Sequence, residues 1–267
     1  MATSQPAPAR VIAIALQKGG VGKTTTTINL AAALTGFGLQ VLVIDMDPQA
    51  NTTSGLGIEL GPDDATMYEV LHLDRDQRVQ LTEIIKKSEF GIHVAPGHLA
   101  LKELERTGLG SGGQMRLARQ LDTLEGYDYV LLDCPPALGE LTTAALAAAD
   151  DALTPVGPGP DELGGLIDLG KTILDVQEEL NPDIEIRYLI VCGYDGRNQL
   201  SKDVKNRLRA DWGDWDDGGA YLGEISHTVR IPEAKAKRVP IFEHAPTCTA
   251  AVDYRAAAQR IVDRNKA

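Results

Sequence analysis

Several features that are common in proteins are scarce in this chain of 267 residues. Its three cysteines, Cys134, Cys192 and Cys248, are odd in number and far apart, which argues against a disulfide scaffold and favours a reducing compartment. No apolar stretch is as long as a membrane span, and Met1 to Arg10 lacks a signal peptide's apolar segment. Aromatic residues make up only 4%, so aliphatic side chains must build the core. These absences predict a protein of the cytoplasm with one large aliphatic core.

Positive charge is also in deficit, because the formal net charge is −12 at pH 7. An acidic surface repels duplex phosphates, which excludes nucleic-acid binding by the surface as a whole. Two segments, Arg197 to Arg209 and Arg230 to Arg238, nevertheless hold more basic than acidic residues. Solvated helix faces explain such runs as readily as an anion-binding site does. The basic residues that could contact DNA are Lys202, Lys205, Arg207, Arg209, Arg230, Lys235, Lys237 and Arg238.

The most informative segment is a glycine-rich turn that follows the apolar run Val11–Leu16 and reads Gln17-Lys18-Gly19-Gly20-Val21-Gly22-Lys23-Thr24-Thr25. A helical pattern comes next, and strand, glycine-rich turn and helix together form a phosphate-binding loop. The glycines let backbone N–H groups converge on phosphate oxygens at a helix N-terminus. Lys23 would neutralise the β- and γ-phosphates, and the Thr24 hydroxyl would bind Mg²⁺. The segment from Lys18 to Thr25 therefore predicts a nucleoside triphosphate site.

Lys18 sets this loop apart from the general pattern, in which a glycine stands at the position of Gln17. A lysine at the tip of a phosphate loop is badly placed to fold back onto its own nucleotide. It is well placed to reach the nucleotide of a facing subunit. A solvated lysine on a loop tip is an equally good interpretation on chemistry alone.

Three carboxylates end aliphatic strands of the predicted sheet. Asp45 and Asp47 follow Val41–Ile44, and Asp133 follows Tyr129–Leu132. Ligands bind at the carboxyl edge of open α/β sheets, so Asp133 is a candidate Mg²⁺ ligand, usually through water. Asp45 and Asp47 would share a strand face and approach the phosphates together if the strand persists. A turn at Asp47-Pro48 that merely ends the strand is the alternative.

Strands and helices alternate along the chain, which predicts an α/β fold with a mostly parallel, twisted sheet and helices on both faces. We expect one domain spanning residues 1–267, with residues 1–9 flexible and residues 107–113 in an exposed loop. The predicted strands are Val11–Leu16, Val41–Asp45, Gly91–Ala95, Tyr129–Asp133, Ala152–Val156, Tyr188–Cys192 and Ala220–Ile225. The predicted helices are Thr24–Thr35, Thr66–Leu71, Leu81–Lys87, Gly113–Leu124, Leu141–Ala149, Glu162–Glu179, Leu200–Trp212 and Val252–Arg264.

The run from Lys18 to Thr25 resembles the deviant Walker A box of the ParA/MinD superfamily of P-loop ATPases, whose signature lysine lies at Lys18. The segment Val41–Asn51 resembles the second box of that superfamily. Its Asp-Pro-Gln, the continuation Asn51–Gly57 and the Asp133-Cys134-Pro135-Pro136 box favour the ParA/Soj branch of partition ATPases. The resemblance covers nearly the whole chain, with the motifs in the same order and at similar spacings.

The resemblance implies roles for particular residues. Lys18 would contact the partner subunit's phosphates, and Asp45 would lie near the Mg²⁺ shell. Asp47 would position the attacking water and, with Thr24 and Asp133, would belong to the Mg²⁺ site. The remaining expected nucleotide contacts are Asn51 near the γ-phosphate, Asp195 and Arg197 near the adenine, and Pro232 in the stretch beside the nucleotide and dimer groove. A local ion pair is the other interpretation of Asp195 and Arg197.

The resemblance also implies a function. Such ATPases bind ATP and Mg²⁺, form an ATP-dependent homodimer and bind double-stranded DNA without sequence preference on the nucleoid. A ParB-like partner stimulates their weak intrinsic hydrolysis, and chromosomes or plasmids are segregated. Two segments depart from the family pattern: Ala245–Thr249 lacks the arginines that relatives carry, and Pro155–Glu162 has prolines and glycines in place of a glutamine and an aromatic pair.

Other functions fit the sequence less well. A MinD-like ATPase that positions cell division at a membrane needs an amphipathic C-terminal helix, whereas Val252–Arg264 is rich in alanine and looks like a packing helix. An amidoligase that shares the loop would need an added substrate domain, for which this length leaves little room. An iron–sulfur reductase relative needs paired cysteines, and Cys134 has no suitable mate.

Overall fold

The computed structural model describes residues 8–159 and 162–266. Most of the stretch expected to be flexible, residues 1–7, therefore lies outside the described residues. Pro160 and Asp161, in one of the two segments that depart from the family pattern, lie outside them as well.

The described residues form one eight-stranded sheet in the order β3-β4-β2-β5-β1-β6-β7-β8. Every neighbouring pair is parallel except β3 and β4, so the prediction of a mostly parallel sheet is confirmed. The strands are β1 (Arg10–Ile14), β2 (Val41–Asp45), β3 (Lys86–Lys87), β4 (His93–Ala95), β5 (Tyr129–Asp133), β6 (Asp151–Val156), β7 (Ile186–Tyr194) and β8 (Tyr221–Ser226).

Helices cover both faces of this sheet. The helices are α1 (Lys23–Gly36), α2 (Asn51–Gly55), α3 (Met67–Val70), α4 (Leu81–Ile84), α5 (Leu101–Thr107), α6 (Arg116–Leu121), α7 (Glu140–Ala148), α8 (Glu162–Glu179), α9 (Gln199–Trp212), α10 (Arg230–Ala236), α11 (Ile241–His244) and α12 (Thr249–Lys266). Short 3₁₀ turns lie at Arg75–Gln77 and Trp215–Asp217.

Alternate residues of the central strands supply two aliphatic layers. Ile12 and Ile14 of β1 face the layer that holds α1 and α12, whereas Val11 and Ala13 face the layer that holds α7 and α8. Strands β2 and β5 are buried along their whole length. This is the pattern expected for parallel strands covered on both faces.

The apolar face of the C-terminal helix α12 packs against the core of the protein. Tyr254, Ala258 and Ile261 are buried in the layer shared with α1 and β8. Across residues 8–159 and 162–266, no helix is both long enough and apolar enough to cross a bilayer. The interpretation of this segment as a packing helix agrees with these contacts.

One predicted helix was wrong in its second half. The helix expected over Leu81–Lys87 ends at Ile84, and Ile85 is extended, with φ −66° and ψ 124°. Lys86 and Lys87 then pair antiparallel with β4 as the edge strand β3. Pairing with a neighbouring strand therefore prevails over the local helical pattern.

The loop expected to be exposed at residues 107–113 is also partly wrong. Thr107 ends α5, and Leu109 is fully buried in the core. The Arg116 guanidinium donates to the Leu109 carbonyl at 3.1 Å, which ties the loop to the start of α6. A buried leucine and a side-chain clamp hold this glycine-rich stretch against the body of the protein.

Four short helices have no counterpart among the predicted elements: α2, α5, α10 and α11. Each has four to seven residues, which is too short for a helical repeat to show in the sequence. Helices α2 and α10 matter most, because they carry or adjoin residues of the candidate site.

Candidate nucleotide site

The glycine-rich loop connects the end of β1 to the start of α1. Gly20 and Gly22 have φ of 81° and 100°, values that favour glycine. A Cβ at Gly22 would lie 3.4 Å from the Cβ of Cys192, which is a van der Waals contact. The backbone turn is therefore what favours glycine at this position. The turn brings the loop to the N-terminus of α1, where the first N–H groups of the helix can bind an anion.

Lys23 lies inside the loop. Its ammonium donates to the carbonyl of Leu16 at 3.1 Å and to that of Lys18 at 2.7 Å, and only 7% of the residue is exposed. Burial lowers its pKa, while the nearby Asp133 carboxylate opposes that shift. The loop backbone thus holds a buried cation. Lys18 is half-buried, and its own N–H donates to the Leu16 carbonyl at 2.8 Å.

Asp133 is the end of β5 and is fully buried. Its carboxylate accepts hydrogen bonds from three threonine hydroxyls: Thr24 at 2.8 Å, Thr52 at 2.5 Å and Thr27 at 3.2 Å. Burial raises the pKa of Asp133. The hydrogen bonds from the threonine hydroxyls oppose this upward shift, and the negative charge of Asp47 adds to it. A buried carboxylate that is costly to ionise is stabilised by a cation placed beside it.

The Thr24 hydroxyl and the Asp133 carboxylate together suit Mg²⁺, a hard cation that prefers oxygen ligands. Within the described part of the chain, no group of three or more His, Cys, Asp or Glu side chains is arranged to hold a metal ion. Mg²⁺ usually takes one or two protein ligands and completes its shell with phosphates and water. The residues present therefore fit this ion.

Asp45 lies level with Asp133 on the neighbouring strand and is equally buried. Its carboxylate accepts from the N–H and hydroxyl of Thr53 at 2.8 and 2.7 Å and from the N–H of Asp47 at 3.2 Å. Burial, and then repulsion by Asp133, raise its pKa. The carboxyl group is thus held within the protein, and its approach to the Mg²⁺ shell stays a prediction.

Asp47 follows the end of β2, which stops at Asp45. The condition for a shared strand face, that the strand continues to Asp47, is therefore not met. The Asp47 carboxylate accepts a hydrogen bond from the N–H of Gln49 at 2.8 Å. The backbone carbonyl of Asp47 accepts one from the N–H of Ala50, also at 2.8 Å. The turn ends at Ala50, which has φ 51° and precedes α2. The alternative of a strand-ending turn is present in the structure, and the proposed role of Asp47 in hydrolysis stays a prediction.

A cavity of about 460 Å³ lies against the loop. Gly19, Gly20, Val21, Gly22 and Thr25 form one wall, so the cavity adjoins the phosphate-binding turn. Its volume falls in the range of pockets that enclose small molecules. Its other lining residues include Pro158, Cys192, Ile225, Pro232 and Tyr254. Apolar side chains of this kind suit the flat face of a base.

Pro232 is thus in the cavity wall, whereas Asp195 and Arg197 are not among the lining residues. They form the local ion pair, at 3.0 Å, and the Arg197 side chain is 91% exposed. The sequence motifs did not single out Cys192 and Tyr254 for this site. The position of Cys192 near the carboxyl end of β7 was the available signal, whereas Tyr254 reaches the site from α12, more than 200 residues from the loop.

Asn51 lines a second, smaller cavity together with Thr24, Thr25 and Lys235. Asn51 is the first residue of α2, so the segment after Asp47 borders the start of α1. Lys235, predicted as a DNA contact, therefore lies on the nucleotide side of α10. Its role in DNA binding stays a prediction.

Most of the predicted DNA-contacting residues have partners. Ion pairs join Lys205 to Glu224, Arg207 to Asp211, Arg209 to Asp214, and Arg230 to Glu233, and Lys237 lies 3.2 Å from the His244 ring. Among the described residues, Lys202, Lys235, Lys237 and Arg238 have no acidic side chain within 4.0 Å. The basic segments are therefore less positive than the sequence suggests.

Similarity to known proteins extends over almost the whole chain. A family model described as an AAA domain matches residues 9–186. The chain is 37% identical over 263 residues to the chromosome partitioning protein ParA of Caulobacter vibrioides, covering 97% of this chain and 96% of the relative. It is 38% identical over 258 residues to the chromosome-partitioning ATPase Soj of Thermus thermophilus, covering 97% of each.

A solved structure shares the fold and bears a different name. The cobyrinic acid a,c-diamide synthase of Mycobacterium smegmatis, crystallised with ADP and magnesium, is 31% identical, with a TM-score of 0.80. The match covers 97% of this chain and 96% of that one. The two chains therefore have similar lengths, and the expectation that an amidoligase needs an added substrate domain stays a prediction.

Proposed function

Since this chain belongs to the ParA/Soj family of P-loop ATPases, we propose that it hydrolyses ATP, with Mg²⁺, to segregate chromosomal or plasmid DNA. Curated relatives named for chromosome partitioning support this proposal at 37–38% identity over nearly the full length. The structural observation that carries it is the contact of Thr24 with Asp133 beneath a loop whose carbonyls hold the Lys23 ammonium.

In this proposal the loop binds the triphosphate. Backbone N–H groups of Gly19 to Gly22 and the start of α1 contact the phosphate oxygens, and Lys23 neutralises the β- and γ-phosphates. Thr25 contacts the nucleotide at the start of α1. Thr24 and Asp133 hold Mg²⁺, which neutralises charge on the phosphates when bound. Pro232 and the apolar wall beside it enclose the base.

Asp47 is the residue that we propose orients the attacking water. Phosphoryl transfer depends on in-line alignment of the water, so a buried carboxylate fixed by its own turn suits the task. Asp47 is 8% exposed and close enough to Asp133 to raise the pKa of that carboxyl. Intrinsic turnover is slow in this proposal, and a ParB-like partner raises it.

The assembly is a homodimer that ATP holds together, with Lys18 of each subunit contacting the other's phosphates. The dimer binds double-stranded DNA without sequence preference, on the nucleoid, through basic residues of α9, of α10 and of the turn that follows α10. Support comes from the family and from Lys202, Lys235 and Arg238, which have no acidic neighbour among the described residues. Hydrolysis would separate the dimer and release the DNA.

The MinD-like alternative needs an apolar helix face for a membrane. Helix α12 buries most of its apolar residues against α1 and β8, with Val252 exposed, which favours the partition function. An amidoligase would instead couple ATP cleavage to amide formation on a carboxylate substrate. DNA and a centromere-binding protein should not affect its turnover.

The test measures DNA binding and phosphate release on the purified chain. DNA binding is titrated with ATP, ADP and no nucleotide at two salt concentrations, because phosphate contacts weaken as salt rises. We expect ATP-dependent, salt-sensitive binding, and release of phosphate that a ParB-like protein accelerates. Binding that ignores the nucleotide, or turnover that needs a carboxylate and an ammonia donor, would contradict the proposal.

The variant Asp47→Ala separates binding from hydrolysis. It should keep ATP and DNA binding, form a stable dimer on size-exclusion chromatography with ATP, and lose about 100-fold in turnover. Asp63→Ala, at an exposed position, is the control and should behave like the wild type. A monomer with ATP would count against the dimer.

A further inference from the structure

Two adjacent threonines of α2 connect to the two buried aspartates that end β2 and β5. The Thr52 hydroxyl donates to Asp133 at 2.5 Å. The N–H and hydroxyl of Thr53 donate to Asp45 at 2.8 and 2.7 Å. Both threonines are buried. The start of α2 is therefore joined to two neighbouring strands at the level where Asp45 and Asp133 are in register.

The Thr53 contact is rigidly supported. The N–H of Gly97 donates to the Thr53 hydroxyl at 2.9 Å, so this hydroxyl both donates and accepts. A Cβ at Gly97 would lie 2.7 Å from the carbonyl oxygen of Asp45, which shows how closely these two backbone segments approach each other. The other oxygen of Asp45 accepts from the Asp47 N–H. Thr53 and Asp45 thus close a hydrogen-bonded loop of the backbone, and Asp47 lies within that loop.

The Thr52 contact has a different character, because its partner is the candidate Mg²⁺ ligand. Thr24 and Thr52 donate to the same oxygen of Asp133. Thr24 and Thr27, the other donors from side chains, are both on α1. Thr52 lies instead on the segment that begins at Asp47. The Thr52 hydrogen bond therefore links the Asp133 carboxylate to the segment that carries Asp47.

We propose that Thr52 is a positioning residue that couples occupation of the metal site at Asp133 to the placement of Asp47. The contact between Thr53 and Asp45 fixes one end of the Asp47–Gly55 segment. Thr52 makes the position of that segment depend on whether Mg²⁺ is bound at the Asp133 carboxylate. This inference rests on the proposed ATPase function and deepens it. Thr52 itself touches neither nucleotide nor water in this scheme.

The test compares two threonines that donate to the same carboxylate from different helices. Thr52→Val removes the link to α2. The control Thr27→Val removes a hydroxyl of α1 that lies 3.2 Å from an Asp133 oxygen and 3.1 Å from the Lys23 carbonyl, so its one proton is shared between these two acceptors. Both residues are fully buried and both substitutions keep the side-chain volume. Any general effect of losing a donor to Asp133, on Mg²⁺ affinity or on folding, should appear in both.

The readout besides turnover is amide hydrogen exchange of the segment Asp47–Leu56, measured with ADP in Mg²⁺ or in EDTA. In the wild type we expect Mg²⁺ to slow exchange there by about tenfold, as expected for a local opening that becomes rarer. Thr52→Val should lose this Mg²⁺ dependence, and Thr27→Val and Thr52→Ser should keep it.

The kinetic measurement asks whether each substitution changes kcat or KM for ATP hydrolysis. Thr52→Val should lower kcat about tenfold and leave KM for ATP within about twofold, since it misplaces Asp47 without removing a phosphate contact. Thr52→Ser should restore kcat. Equal behaviour of Thr52→Val and Thr27→Val would overturn the proposal.

The wild type alone provides a second test that does not depend on the variant folding. If it hydrolyses ATP but exchange in Asp47–Leu56 ignores Mg²⁺, the coupling is absent and the role of Thr52 is overturned. If it neither hydrolyses ATP nor responds to Mg²⁺, the proposed ATPase function fails, and the coupling fails with it.

Discussion

At the carboxyl edge of the sheet, Lys23, Asp45 and Asp133 are buried and each is held by several hydrogen bonds. Along α9 and α10, most basic side chains are exposed, and several are joined in ion pairs. Asp133 accepts from three threonines, and Lys23 donates to two loop carbonyls. Arg207 and Arg230, by contrast, each meet one acidic side chain of their own helix. The first arrangement is fixed by the fold, and the second is worth little energy in water.

This contrast explains which charges can do chemistry. A buried carboxylate or ammonium keeps a defined position and a strong field, because little water surrounds it. Exposed pairs are screened by salt and can exchange partners, for example an acidic side chain for a DNA phosphate. We therefore expect substitutions at the sheet edge to have large, specific effects, and substitutions on α9 and α10 to have small, graded ones.

The largest expected effect belongs to Lys23→Ala. It removes the loop's buried cation and the hydrogen bonds to the carbonyls of Leu16 and Lys18, so ATP affinity should fall about 100-fold. Isothermal titration calorimetry of the purified chain measures it. Lys102→Ala, which removes the same charge from an exposed position on α5, should leave the affinity unchanged. If Lys23→Ala binds ATP with nearly normal affinity, buried charges at the sheet edge matter no more than the exposed charges of α9 and α10.

The next effect is on the pH dependence of stability. Burial raises the pKa of both Asp45 and Asp133, so the folded chain binds more protons than the unfolded one. Their stabilising contribution is therefore present below the ordinary carboxyl pKa and is lost as pH rises through the raised pKa. Each unit of pKa difference corresponds to about 1.4 kcal/mol.

Asp45→Asn tests this expectation, since the amide cannot ionise and no longer repels Asp133. Melting temperatures are measured between pH 5 and 8 in EDTA without nucleotide. The wild type should lose stability relative to the variant as pH rises, at about 2–4 °C per kcal/mol for a chain of this size. A constant difference between the two curves would show that Asp45 does not titrate in this range.

A smaller effect is expected on DNA binding. Lys202→Gln or Lys235→Gln should each lower affinity several-fold and reduce the salt slope by about 1, as for loss of one phosphate contact. Arg207→Gln should do less, because Asp211 already holds that guanidinium at 2.5 Å. Fluorescence anisotropy with duplex DNA at two salt concentrations compares them. A larger loss for Arg207→Gln would mean that the pairing seen here does not govern DNA contact.

The smallest effect concerns the backbone of Arg238. This residue has φ 57° just after α10, a conformation that costs a residue with a side chain about 1 kcal/mol. Arg238→Gly should therefore stabilise the chain by up to about 1 kcal/mol relative to Arg238→Ala, which loses the same charge but keeps the strain. Chemical denaturation measures the difference. Equal stability of the two variants would show that the backbone is not strained.

The sequence was informative where a motif depends on one short stretch of backbone. The glycine-rich loop, the strand bounds of Val41–Asp45 and Tyr129–Asp133, and the parallel sheet all follow from local patterns. Each depends on residues that are adjacent in the chain or alternate along it. Such features are visible without knowledge of distant neighbours.

The rest of the site depends on contacts between distant segments. Asp45 is held by Thr53 and approached by Gly97, and neither contact has a signature in the sequence. Tyr254 reaches the cavity from α12, and Glu224 on β8 pairs with Lys205 on α9. Counting basic residues along the chain could not reveal these acidic partners. Packing of the sheet and helices decides them.

The edge strand β3 has a consequence for how copies of this chain can associate. A sheet edge with unpaired N–H and C=O groups can template aggregation by adding strands from other molecules. Here the edge is only two residues long, runs against the direction of the other strands and consists of Lys86 and Lys87. Lys86 is paired with Asp64 at 2.7 Å, which leaves the exposed Lys87 to repel an incoming copy, and so short an edge offers few hydrogen bonds. Uncontrolled growth of fibres from this side is thereby disfavoured, even at high local concentration.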